Sequence, residues 1–105
     1  MTEPSQGEVW WGETPEQKGR PYLVLTRDEA IPVLRTILVA PVTRTVRGIP
    51  TEIFLGPEEG LPTEGVATFD NVQAFPKSML VRRVGALPPR RREEPCEALR
   101  AVLDC

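Results

Sequence analysis

Short apolar runs alternate along the chain with polar breaks marked by proline and glycine. Residues 8–11 read as a first strand and residues 12–19 as a polar loop. Residues 21–26, Pro-Tyr-Leu-Val-Leu-Thr, are rich in β-branched and aromatic side chains, which predicts a buried strand. Residues 28–34 predict a turn or a single helical turn, because Pro32 limits anything longer. Residues 36–42 are a second strong apolar run, with Pro41 placing its end near an edge or bulge. A polar, basic connection follows at residues 43–49, holding Arg44, Arg47 and Gly48. In the strand expected at residues 51–55, Ile53 and Leu55 share one face and Glu52 and Phe54 the other.

Residues 57–65 predict a loop, and residues 66–69 and 71–74 one strand broken or bulged at Asp70. A short 3₁₀ or helical turn is expected at residues 76–80, then a strand near 81–84 and a basic hinge with a proline pair at 88–92. Residues 93–103 are the one good helix. Cys96, Leu99 and Leu103 fall at i, i+3 and i+7, Ala98 and Val102 widen the stripe, and Glu93 and Glu94 suit the N-terminal dipole. The pattern predicts a mainly β fold: one domain over residues 1–105, a small antiparallel barrel with short helical turns. Residues 1–6 would be a flexible N-terminus, and a C-terminal α-helix within residues 93–104 would close the barrel.

Composition supports short elements. Twelve prolines and eight glycines in 105 residues favour strands interrupted by turns over a helix bundle. No apolar run approaches the length of a membrane span, and residues 1–7 have no signal-peptide pattern, so cytoplasmic residence is expected. Cys96 and Cys105 sit nine apart and resemble neither a zinc site nor a disulfide framework; both read as plain thiols, Cys105 open to cross-linking two chains in air. With no histidine, imidazole is unavailable as acid, base or metal ligand. A net charge of −2 argues against a general nucleic-acid coat protein, so any RNA contact must come from locally clustered arginines.

Four stretches, in order, go further. They are Gly7-Glu8-Val9-Trp10, Glu16-Gln17-Lys18-Gly19-Arg20-Pro21, Ala40-Pro41-Val42-Thr43, and Gly65-Val66-Ala67-Thr68-Phe69-Asp70-Asn71-Val72. Together they resemble the MazF/PemK (Kid) toxin family over nearly the whole chain, about residues 7–103. The resemblance implies an SH3-like barrel that forms a homodimer. It also implies sequence-specific cleavage of single-stranded RNA, leaving a 2′,3′-cyclic phosphate and a 5′-hydroxyl, with neither metal nor other cofactor. The implied partner is a cognate antitoxin whose acidic, disordered tail lies across the RNA groove.

The resemblance also assigns residues. Arg20 matches the arginine that grips the phosphate, where on sequence alone it would pass for a surface residue capping a strand. A planar, permanently charged guanidinium suits that task. Thr43 matches the family's hydroxyl donor and is otherwise a β-favouring residue at a strand end. The two become neighbours only if their strands pair. For the proton acceptor, Glu16 matches a loop glutamate and Asp70 the aspartate of Kid-like members; the choice between them stays open, and Asp70 reads equally as a structural aspartate at a bulge. Thr68 stands where those members carry a second arginine, and is placed with the RNA contacts. Lys18, Arg44 and Arg47 lie in the loops expected to flank Arg20 and read either as an electrostatic groove or as solvated charges. Of Trp10 and Trp11, adjacent on a strand, one must face in and one out; Trp11 is taken as the outward one, available to stack on a base or to sit in a subunit contact. Two further readings are a non-catalytic poison on the same barrel, like the CcdB toxins, and a binding module that has lost activity.

Overall fold

The computed structural model describes residues 3–104. The expected thiol at Cys105 and the first two residues of the expected flexible N-terminus lie outside the described residues.

Seven strands form one antiparallel sheet that curls into a half-barrel: β1 (Glu8–Thr14), β2 (Gln17–Val24), β3 (Thr36–Thr43), β4 (Glu52–Leu55), β5 (Gly65–Thr68), β6 (Gln73–Pro76) and β7 (Leu80–Ala86). The strand order is β4-β5-β3-β2-β1-β7, with β6 also paired to β3. One α-helix, α1 (Glu94–Leu103), packs against β4 and the turn at Phe69–Asn71. The mainly β reading with a C-terminal helix holds, as do the apolar runs that became β2 and β3. Among the described residues no helix is long and apolar enough to cross a membrane.

The polar loop expected at residues 12–19 is instead a β-hairpin. Strand β1 runs on to Thr14 and β2 begins at Gln17, with the Gln17 N–H donating to Thr14 Oγ1 at 3.1 Å. Its strands escape the hydrophobic pattern because most of the hairpin projects beyond the core, so residues 15–18 and Arg20 are exposed. Within the stretch expected to be flexible, residues 3–6 make contacts of their own. Glu3 pairs with Lys77 Nζ at 2.7 Å, and the Gln6 N–H donates to Asp28 Oδ1 at 2.7 Å.

The break at Asp70 is a corner. Strand β5 pairs with the end of β3 through Val42–Ala67 and Thr43–Val66, and the chain then turns through the 3₁₀ segment Phe69–Asn71. It returns as β6 along the beginning of β3, from Thr36–Pro76 to Val39–Gln73.

Both faces of the β1–β2–β3 sheet are covered, which is why β2 and β3 read as apolar runs and not as alternating strands. Val9, Leu23, Ala40 and Val42 face the barrel interior with Ile53, Leu55, Ala67 and Phe69, and α1 closes this core through Ala98 and Leu99. Trp10, Tyr22, Val24 and Val39 face the other way, beneath Ile31, Phe75 and Leu80.

A buried ion pair fastens α1 to the barrel. Glu59 is 3% exposed, accepts a hydrogen bond from the Gly56 N–H at 2.6 Å, and meets Arg91 Nη1 at 3.0 Å. Arg91 also donates to the Phe54 carbonyl oxygen at 2.6 Å and to both oxygens of Glu94. Hydrogen bonding to Glu94 outweighs the effect of burial and raises the Arg91 pKa above its ordinary value, so the cation persists at every accessible pH. Removing Arg91 leaves a buried carboxylate without its counter-ion. Arg91→Ala is expected to lose about 3–5 kcal/mol of stability in urea unfolding, and a loss below about 1 kcal/mol would contradict this role.

At the start of β1, burial pushes the Glu8 carboxyl up. Hydrogen bonds from Trp10, Arg83 and the Ser5 N–H, with the charge of Arg83, outweigh burial and hold its pKa below the ordinary value. A carboxyl depressed in the folded state stabilises above its unfolded pKa, and that contribution is lost as pH falls through the folded one. Glu8→Gln should therefore be less stable than the parent at neutral pH and converge on it in acid. Urea titrations across the acid range test this, and a gap independent of pH would contradict it.

Candidate active site

The paired residues of β2 and β3 are Tyr22–Pro41, Leu23–Ala40 and Val24–Val39. Two residues further along each strand, that register brings Arg20 level with Thr43. The strands therefore do pair in the way that makes these two side chains neighbours. On the other side Arg20 lies opposite Gly12 of β1, which has no side chain to compete for the guanidinium. Arg20 is exposed and makes no ion pair among the described residues.

Arg20 and Thr43 stand on a ridge between two hollows. The larger is an open groove of about 870 Å³, whose walls include Lys18, Arg20, Tyr22, Thr43, Arg44, Asp70 and Gln73. The smaller, about 260 Å³, is lined by Trp11, Leu61, Pro62 and Glu64 and shares Gly19, Arg20, Val42, Thr43 and Arg44 with the first. Lys18, Arg20 and Arg44 against the single carboxylate of Asp70 make the larger groove locally cationic, although the chain carries a net charge of −2.

Each polar group is held differently. Thr43 Oγ1 accepts a hydrogen bond from the Thr45 N–H at 3.2 Å, which leaves its own hydroxyl hydrogen free to donate. Asp70 Oδ2 accepts from Thr51 Oγ1 at 2.6 Å, so the corner at Phe69–Asn71 anchors the carboxylate at the groove wall. Trp11 is the outward tryptophan and Trp10 the buried one. The Trp11 ring lies against Gly19, where any Cβ would collide with the indole edge, and the Arg82 guanidinium sits 5.3 Å from the ring centroid. Its Nε1–H donates to Glu13 Oε2 at 3.1 Å, so Trp11 forms a fixed wall of the smaller hollow.

Three sequence-derived candidates fall elsewhere. Glu16 is exposed in the hairpin turn and lines neither hollow. Arg47 is also outside both; its loop is tied down by Glu52, which accepts from the Arg47 and Gly48 N–H groups at 3.0 Å. Thr68 corrects the expectation placed on it. It lies on β5 opposite Glu52 with 6% exposure, so its side chain is withdrawn from solvent. Conversely, Tyr22 and Gln73 line the groove although the sequence pattern marks them only as strand residues. The signal for Tyr22 was its position two residues after Arg20, which puts both on one face of β2.

Among the described residues no group of three or more His, Cys, Asp or Glu side chains is placed to hold a metal ion. The polar groups lining the groove include two guanidiniums, a hydroxyl, a carboxylate and an ammonium. Such a set has the charge and hydrogen-bond donors to bind and polarise a phosphodiester.

Known proteins have similar sequences and the same fold. Residues 5–103 match the family described as PemK-like, MazF-like toxin of type II toxin-antitoxin system. The chain is 43% identical over 103 residues to the probable endoribonuclease MazF5 of Mycobacterium tuberculosis, covering 97% of this chain and 94% of that protein. The solved structure of Mycobacterium tuberculosis toxin MazF-mt6 superposes with a TM-score of 0.85 at 34% identity, covering 92% of this chain and 96% of the other. An endoribonuclease from a mycobacterial species, solved in complex with its cognate antitoxin, gives a TM-score of 0.83 at 25% identity over 96% and 95% of the two chains. With the family matched over almost its full length, the chain belongs to the PemK-like, MazF-like toxins of type II toxin–antitoxin systems.

Proposed function

We propose that this toxin endoribonuclease cleaves single-stranded RNA at the ridge formed by Arg20 and Thr43, without a metal. The observation that carries the reading is the β2–β3 register, which brings a guanidinium without an ion pair among the described residues level with a hydroxyl that can still donate.

A 2′-hydroxyl attacks the adjacent phosphorus, and the bond to the 5′-oxygen breaks. Negative charge rises on the non-bridging oxygens as the new bond forms, so fixed donors beside them stabilise the transition state more than the bound substrate. Arg20 grips those oxygens, and Thr43 donates to one without adding charge. The 2′-hydroxyl proton passes to a carboxylate. Asp70 is the better acceptor, since it lines the groove and Glu16 does not. The leaving 5′-oxygen takes a proton from solvent, and the products are a 2′,3′-cyclic phosphate and a 5′-hydroxyl. Lys18 and Arg44 track the flanking phosphates, and the smaller hollow beside Trp11 takes chain on the other side of the ridge.

A cationic groove is also a site for an acidic peptide. The mycobacterial endoribonuclease solved with its cognate antitoxin supports such a partner for this chain. We place the acidic tail of the antitoxin in the larger groove, competing with RNA, and expect the active form to be a homodimer in the cytoplasm.

The test is incubation of the purified protein, free of antitoxin, with a long single-stranded RNA in chelator, followed by mapping of both new ends. Discrete cuts ending in cyclic phosphate and 5′-hydroxyl are expected. Arg20→Ala should cleave about a hundred- to a thousandfold more slowly with unchanged circular dichroism. Intact RNA, or an Arg20→Ala variant as fast as the parent, would contradict the reading.

A further inference from the structure

Tyr22 has no role in the chemistry above, yet it is built into the same wall. It follows Arg20 by two positions on β2, so both side chains leave the same face of the strand. The residue is 2% exposed, and its ring packs on Phe75 with centroids 4.5 Å apart and planes inclined at 37°. Gly12 makes room for it, since a Cβ there would stand 2.9 Å from Tyr22 Cδ2.

A buried phenol ordinarily finds a hydrogen-bond partner. The Tyr22 hydroxyl makes no hydrogen bond to any described residue, and yet among the described residues no buried side-chain oxygen is left unpartnered. Both statements hold only if the ring is buried while its oxygen meets solvent. The cavity that Tyr22 lines is the larger groove, shared with Arg20, Thr43 and Asp70. With both faces of the ring covered, stacking on a base is closed to it. What it offers the groove is one O–H. Burial raises its pKa, with the Arg20 charge acting the other way, so the group stays a neutral donor at physiological pH.

We propose that Tyr22 is a further catalytic residue, whose phenolic hydroxyl donates a hydrogen bond to a non-bridging oxygen of the phosphate gripped by Arg20. The proposal rests on the RNA-cleavage reading. No proton is transferred in this contact: the hydrogen bond strengthens as charge builds on the oxygen and relaxes when the 5′-oxygen has left. The ring is fixed by Phe75 and the strand, so the donor is in place before the substrate arrives.

The test compares the parent protein, Tyr22→Phe and Arg20→Ala in single-turnover cleavage of an RNA with one cut site. Each is then given the same RNA with sulfur replacing one or the other non-bridging oxygen of the scissile phosphate. Tyr22→Phe keeps the ring and its packing. It is expected to cleave about ten- to a hundredfold more slowly, with unchanged affinity for an RNA blocked by 2′-deoxy substitution. Sulfur accepts hydrogen bonds poorly, so at one of the two positions it should slow the parent more than Tyr22→Phe. A purely structural role for the hydroxyl would not move that ratio. A Tyr22→Phe variant as fast as the parent, or slowed with the sulfur effect undiminished, overturns the proposal. If Arg20→Ala is inactive in the same series, the cleavage reading stands without it. A parent protein that leaves the RNA whole overturns both.

Discussion

The pairing of β2 with β3 in a single register is the constraint from which the candidate site follows. An antiparallel ladder places each residue of one strand level with one residue of the other, and a slip of one position would turn every side chain to the opposite face. Here the register is held by burial on both sides of the sheet. Leu23 and Ala40 must face the barrel interior, while Tyr22, Val24 and Val39 must face the second core. Given those demands, Arg20 arrives level with Thr43 where the apolar run ends and the strands reach solvent. The ridge between the two hollows is thus set by packing a few residues away.

The other wall of the groove depends on the corner at Phe69–Asn71. Phe69 is 1% exposed and belongs to the barrel core, so the chain is anchored at the very residue before Asp70. The Thr51 hydroxyl then fixes the carboxylate itself. The Glu59–Arg91 pair plays the corresponding part for α1, joining the helix approach to the turn after β4. Stability and site geometry are coupled here mainly through backbone placement, because the charged groups facing the groove are not the ones holding the barrel together.

Much of the fold was legible in the sequence because burial leaves a mark. The apolar runs of β2 and β3, the alternating Ile53 and Leu55, the interruption at Asp70 and the amphipathic helix each match an element found. The hairpin formed by the ends of β1 and β2 was not legible, since a projecting hairpin carries no periodic apolar face. At the site, the motifs around Arg20, Thr43 and Asp70 marked residues that do line one groove. Glu16, Arg47 and Thr68 lie near these in sequence, but their directions depend on a tight turn, a tethered loop and a strand face. Tyr22 was hidden for the opposite reason: it belongs to a core and also lines the groove.

The central claim is that Arg20 and Thr43 act together on one phosphate, as the register implies. A double-mutant cycle measures this directly, using single-turnover cleavage by the parent, Arg20→Ala, Thr43→Val and the double variant. Valine keeps the branched shape and β preference of threonine, so the strand end is preserved. If both groups serve the same charge, the double variant should be scarcely slower than Arg20→Ala alone. Losses that multiply fully, as for two groups acting independently, would contradict the account.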